Sequence, residues 1–231
     1  MNVRNMAHHE ERVAALRDAE VRALYAGEYD AYRPGLFPRV LGALLVFAGN
    51  VVYGREPSYL KFRAVEIIAR VPYHSWNAAV YTLMTLCFAN EQRALALAST
   101  SRFAHFAQEN ETMHVVVISQ LAALHEKAGF IRGSFLPVLF AFFYFWWSYV
   151  LYIVHRRSSY ELNFLFESHA YQQYSSFLTQ NEDVLKARVM ASDYLEWYGR
   201  EAKTEYDFFV WVRNDELIHR NESIEAVVCK K

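Results

Sequence analysis

Cysteine is scarce in this chain: Cys87 and Cys229 stand alone, so disulfides do not carry the fold, and a reducing compartment is the simpler setting. A surplus of one charge is missing as well. The formal net charge of -1 leaves no basic excess to neutralise a phosphate backbone, which argues against nucleic acid as the main partner. No segment alternates at strand period, which leaves an all-α reading. Repeats at solenoid periods and low-complexity linkers are also lacking. The N-terminus carries His8, His9, Glu10 and Glu11 before an Arg/Glu/Ala-rich run, without an apolar signal core and too acidic for a transit peptide. Read as starting at Met1, it suits a prokaryote or virus better than an organelle.

What is present is apolar surface. Hydrophobic residues make up 54% of 231, enough for a sizeable core in one domain. The aromatic share of 16% points to a lipid-facing or interface-rich surface. Glu10 to Tyr32 reads as an amphipathic helical arm ended by Arg33-Pro34-Gly35. Residues 36–53 predict an apolar helix with Pro38 near its start, where proline is tolerated. Residues 59–88 predict one helix carrying Glu66 and kinked at Pro72. A further helix over 99–127 has Ser99, Thr100 or Ser101 as its cap. From Phe135 to Val154 only Ser148 is clearly polar, and Arg132 and His155-Arg156-Arg157 flank the run. Its length suits a membrane span; its basic flanks and Trp146, Trp147, Tyr149 and Tyr152 suit an interfacial helix. Helices over 159–178 and 204–228 complete the reading.

The pattern Glu-x-x-His occurs twice in helical segments, at Glu111/His114 and at Glu216/His219. Residues three apart share a helix face, so each pair aims a carboxylate and an imidazole at one point. Glu66 and Glu167 lie singly in other apolar helices, in Val65-Glu66-Ile67-Ile68 and Phe164-Leu165-Phe166-Glu167. One Glu from each of two helices, with a Glu-x-x-His from each of two more, is the donor set of a di-iron carboxylate bundle. Ionised carboxylates in apolar surroundings need a cation to offset their desolvation. Pattern alone leaves two readings open: a metal site, or glutamates that are solvated or paired in the core.

These segments resemble the alternative oxidase family. Val65-Glu66-Ile67-Ile68-Ala69-Arg70-Val71-Pro72 is similar to the family's first motif, and Asn110-Glu111-Thr112-Met113-His114 to its Asn-Glu-Arg-Met-His motif. Arg213-Asn214-Asp215-Glu216-Leu217-Ile218-His219 resembles Arg-Ala-Asp-Glu-Ala-His-His, with Ile218 in place of the first His. Glu167-Ser168-His169-Ala170 matches the form of the plastid terminal oxidase branch. The resemblance implies a ferritin-like four-helix bundle with two additional apolar membrane-surface helices, monotopic, with residues 1–35 as an N-terminal arm and 36–231 as the oxidase domain. It makes Glu66, Glu111, His114, Glu167, Glu216 and His219 the ligands of two iron ions. Asn110 and Asp215 match positions that orient ligand imidazoles, and Tyr174 matches a tyrosine taking part in oxygen reduction. Lys61 or Arg63, with Tyr160 and His169, fall near the quinol pocket; an exposed helix charge is the other reading of both cations. His74, His105, His125 and His155 read as ordinary helix or interface residues.

The activity so implied is a non-electrogenic quinol oxidase, plastoquinol first and ubiquinol second, reducing dioxygen to water. The implied partners are quinol, dioxygen, a membrane lipid surface and a second copy in a homodimer, across which the arm exchanges. The alternatives are a di-iron hydroxylase or desaturase acting on a lipid-soluble substrate, and a metal-free helical membrane interaction protein. Because Glu111 and Glu167 flank Phe135–Val154 and must reach one site, that helix is expected to lie in one leaflet rather than cross. The expected location is a bacterial or cyanobacterial-type membrane, plasma or thylakoid.

Overall fold

Apolar stripes at helical spacing organise the chain from end to end, and the structure, a computed structural model, is helical accordingly. It describes residues 3–86, 88–127 and 129–228; Cys87 and Cys229 lie outside them. The elements are α1 (Val3–Ala15), α2 (Ala19–Gly27), α3 (Leu36–Tyr53), α4 (Tyr59–Ala69), α5 (Val71–Thr85) and α6 (Glu91–His125). A short π-helical turn (Ile131–Phe135) leads into α7 (Leu136–Val154), followed by α8 (Arg156–Gln180), α9 (Glu182–Ala187), α10 (Asp193–Tyr198) and α11 (Glu205–Val228). Among the described residues the only β pairing is an isolated bridge between Val189 and Thr204. The all-α expectation holds.

Several boundaries differ from the sequence reading, each for a local reason. The arm is two helices rather than one, because the Asp18 carboxylate accepts from the Glu20 and Val21 amides and starts α2 afresh. The stretch expected as one kinked helix over 59–88 is α4 and α5. A continuous helix would need an amide at residue 72 to bond the residue 68 carbonyl, and Pro72 has none; it sits instead in the first turn of α5. Helix α6 begins at Glu91 rather than near Ser99. Asn90 caps it, accepting from the Arg93 amide at 3.0 Å, and the Ala/Leu run that follows propagates well. Ser101, a candidate cap, instead donates to Asn77 Oδ1 at 3.0 Å.

The chain divides into two compact units: residues to Ala48 with Arg55–Ser58 and the chain from Tyr160 onward, and Gly49–Gly54 with Tyr59–Ser159. In the second unit α6 packs on α4 and α5, and α7 packs on α5. Tyr73, Trp76 and Tyr152 are fully buried there, with ring centroids 5.4 Å apart for Tyr73–Trp76 and 5.9 Å for Trp76–Tyr152. Ser75 donates to Ser148 at 2.8 Å, which accounts for the one polar residue of the apolar run. The two Glu126 carboxylate oxygens accept from the Tyr59 and Leu60 amides at 2.9 and 3.0 Å, so the end of α6 caps the start of α4.

In the first unit α1 packs on α11, with Val13 and Leu16 against Leu217 and Ile218. Helix α11 opens on a reciprocal cap: the Asp207 amide donates to Thr204 Oγ1 and the Thr204 amide to Asp207 Oδ2. Gly199, at φ +93°, ends α10 in the left-handed conformation that a side chain would resist, and turns the chain at Arg200. Helices α3 and α7, the latter taken with its π-helical turn, are long and apolar enough to cross a membrane. Only 11% of Leu36–Tyr53 and 17% of Ile131–Val154 is buried, unlike the core helix of a water-soluble protein. Phe142, Phe143 and Trp146 are among the exposed side chains.

Candidate metal centre

The helical repeat places the acidic and imidazole side chains on buried stripes. On α6 the buried positions Ala104, Ala107, Glu111, His114, Ile118 and Leu121 recur every three or four residues, so the alanines that admit close packing share a face with the candidate ligands. Glu66 follows Tyr59 and Phe62 on the buried face of α4. In this unit Glu66, Glu111 and His114 are each 0% exposed and offer one ligand atom apiece within 4.8 Å of one another. His114 Nδ1 lies 3.3 Å from Glu66 Oε2 and 3.6 Å from Glu111 Oε2. Burial, reinforced by the Glu111 charge and opposed by His114, pushes the Glu66 carboxyl up to about 8. Two acids and one imidazole this close and shut off from water resist shedding their protons unless a cation takes their place, so the set suits a cation.

The other unit holds a second set. Glu167 is buried on α8, and Glu216 and His219 are fully buried on α11; their ligand atoms also lie within 4.8 Å of one another. The α8 stripe runs Tyr160, Asn163, Glu167, Ala170, Tyr174 and Phe177, so Tyr174 shares the Glu167 face. Tyr174 is fully buried with its ring 6.0 Å from that of Phe209. Asn163 Nδ2 donates to Glu167 Oε1 at 3.1 Å and to Ser223 Oγ at 3.0 Å, and Ser223 donates to the His219 carbonyl. The sequence reading missed this chain of contacts, although Asn163 stands one turn before Glu167 and could have been found by spacing.

Asp215 is 0% exposed and accepts from His9 Nε2 at 2.8 Å and from Arg200. Burial would lower the Arg200 pKa, but the Asp215 and Glu10 carboxylates outweigh it and hold it above the ordinary arginine value. His9 and Arg200 carried no sequence signal, being 206 and 15 residues from their partner. Ile218, which departs from the resembled motif, lies in the apolar cluster with Val13 and Leu16, where a second imidazole would be buried among hydrocarbon.

Of the remaining candidates, Asn110 is fully buried beside Glu111 on α6. Lys61 is buried and donates to Asn50 Oδ1 at 3.0 Å, which corrects its reading as an exposed charge. Arg63 is half-buried and reaches Ser134 Oγ at 3.4 Å. Tyr160 is buried and His169 half-buried, both on α8. The other histidines behave as ordinary helix residues: His105 faces Glu109, His74 and His125 pack beside Phe145 and Tyr59, and His155 Nδ1 accepts from the Ser158 amide.

Residues 46–226 match the family model for alternative oxidase. The chain is also similar to ubiquinol oxidase 4, chloroplastic/chromoplastic, of Arabidopsis thaliana, at 30% identity over 186 residues, covering 71% of this chain and 50% of that protein. It thus spans about half the length of the curated relative it matches. That relative's location gives no support to the expected bacterial-type membrane. No solved structure matches the chain. With four-motif resemblance, two buried Glu/Glu/His triads and a family match over most of its length, the chain belongs to the alternative oxidase family.

Proposed function

We propose that the protein is a quinol oxidase in which two quinols each give up two electrons and two protons, dioxygen takes all four electrons, and two quinones and two waters leave. The observation that carries this reading is the pair of buried Glu/Glu/His triads in a chain of this family. Glu66, Glu111 and His114, with Glu167, Glu216 and His219, would together hold two iron ions. The donor set fits: carboxylates are hard anionic ligands that stabilise ferric iron and bridge metals, and imidazole suits iron as well. Such a pair supplies one-electron redox steps, which match two-electron quinol oxidation to four-electron oxygen reduction.

The chain's own residues do the rest. Burial of both triads excludes water. Asn163 orients the Glu167 carboxylate, while Asn110 and Asp215 steady the imidazoles. Tyr174 Oη, enclosed on the Glu167 face, would supply an electron and a proton to oxygen reduction. Lys61 or Arg63 with Tyr160 and His169 would meet the quinol headgroup. Plastoquinol is favoured by the plastid-type Glu167-Ser168-His169-Ala170, and ubiquinol comes second. We place the activity in residues 36–231, with 1–35 as an arm, in a homodimer attached to one leaflet through α3 and α7; no path for pumping protons follows from that attachment.

Oxygen uptake by membranes holding this chain tests the proposal. Plastoquinol or ubiquinol analogues should drive cyanide-insensitive uptake, with about two irons per chain, lost in Glu111→Ala and His219→Ala. An oxygenated lipid product without quinol dependence would point to a hydroxylase or desaturase. Metal-free protein of unchanged stability would leave an interaction protein.

A further inference from the structure

Helix α1 reaches into the first unit beside the α11 triad. His9 is 5% exposed, and its Nε2 lies 2.8 Å from Asp215 Oδ1. Arg200, 2% exposed, holds the same carboxylate and also donates to Glu10, the neighbour of His9. A carboxylate ionised by that guanidinium can only accept, so the His9 Nε2–H donates. The His9 ring also lies against the ring of His219, with centroids 6.0 Å apart and planes tilted by 33°. His9 and Arg200, from two distant segments, thus converge on Asp215, which adjoins Glu216 on the helix that carries His219.

We propose that His9 is a positioning residue for the α11 metal ligands: it fixes the Asp215 carboxylate with Arg200 and flanks the His219 imidazole, so that α1 belongs to the metal-binding half-site. The proposal rests on the iron-binding reading above. Without the His9 donor, Asp215 turns with Arg200 alone, and the His219 ring loses the wall that limits its rotation. Glutamine can present an amide N–H where the His9 Nε2–H lies; alanine cannot. Val13, one turn further along α1, packs in the apolar cluster with Leu217 and Ile218 and has no side-chain hydrogen-bonding group, so Val13→Ala serves as the control for loosened packing.

The test is ferrous iron binding to the purified full-length chain and to His9→Ala, His9→Gln and Val13→Ala, by equilibrium dialysis, with electron paramagnetic resonance of the partly reduced iron-loaded protein. His9→Ala should bind iron roughly 10–100-fold more weakly, the usual effect of removing a group that orients a metal ligand, and should show an altered or broadened signal. His9→Gln should recover most of both, and Val13→Ala should keep the parent signal even where its melting temperature falls. Binding by His9→Ala within twofold of the parent overturns the proposal. So does an equal loss in Val13→Ala, or no rescue by His9→Gln, since either makes His9 a packing residue. A parent chain that binds no iron overturns the metal reading itself and this proposal with it.

Discussion

Glu66 illustrates how one buried acid ties stability to pH. Its folded value of about 8 exceeds the ordinary 4.5, chiefly through burial. In metal-free protein a raised carboxyl favours the folded state fully below about 4.5, and that contribution is lost as pH rises through about 8. Denaturant titration of chelated protein should therefore show stability falling over this window, and Glu66→Gln should fall less; identical slopes would contradict the assignment. Asn163→Leu removes the donor to Glu167 and should weaken ferrous iron binding tenfold or more in equilibrium dialysis. Ile218→His restores the residue of the resembled motif yet buries an imidazole among Val13 and Leu16. It should cost about 1–3 kcal/mol, read as a drop of several degrees in Tm. At this scale the sequence singled out the carboxylates and imidazoles that the structure gathers into buried clusters, because Glu-x-x-His pairs share a helix face. It was silent about His9 and Arg200, since nothing in local spacing announces a partner 206 residues away.

At the scale of elements, termini are set by side chains that borrow each other's backbone groups. Glu126 lies beyond α6 yet caps α4, the helix that carries Glu66. Glu126→Ala should cost about 1 kcal/mol and speed hydrogen exchange at Tyr59 and Leu60 in the first turn of α4; unchanged exchange there would argue against the cap. The stripes at three- and four-residue spacing made helix type legible from sequence. Boundaries were harder. Asn90 outcompeted Ser99 and Thr100 as a start because the Ala/Leu run between them already favours helix, and only the tertiary bond to Asn77 shows how Ser101 is used. The sequence pattern runs through Pro72 as a bend in one helix, whereas its missing donor separates two.

For the whole molecule the issue is surface. Phe142, Phe143 and Trp146 remain exposed on α7. Serine at all three should reduce binding to lipid vesicles by more than tenfold, as loss of apolar burial of ~1.5–3 kcal/mol per side chain implies, while iron content stays at the parent level. Retained vesicle binding would remove α7 from the membrane contact. An apolar run of this length suits a span, while its basic flanks and aromatics suit the interface, so the sequence admitted both a span and a surface helix. The low burial of α3 and α7 is what both of those readings require.

The α1–α11 pairing has a consequence for biosynthesis. A ribosome delivers His9 long before Asp215, 206 residues later, and Glu216 and His219 just after it. The α11 half-site therefore cannot assemble on a partial product, and its α1 contact closes late, with high sequence separation. Ferrous ion supplied during translation would meet the Glu66/Glu111/His114 set first, and full loading waits until α11 has emerged.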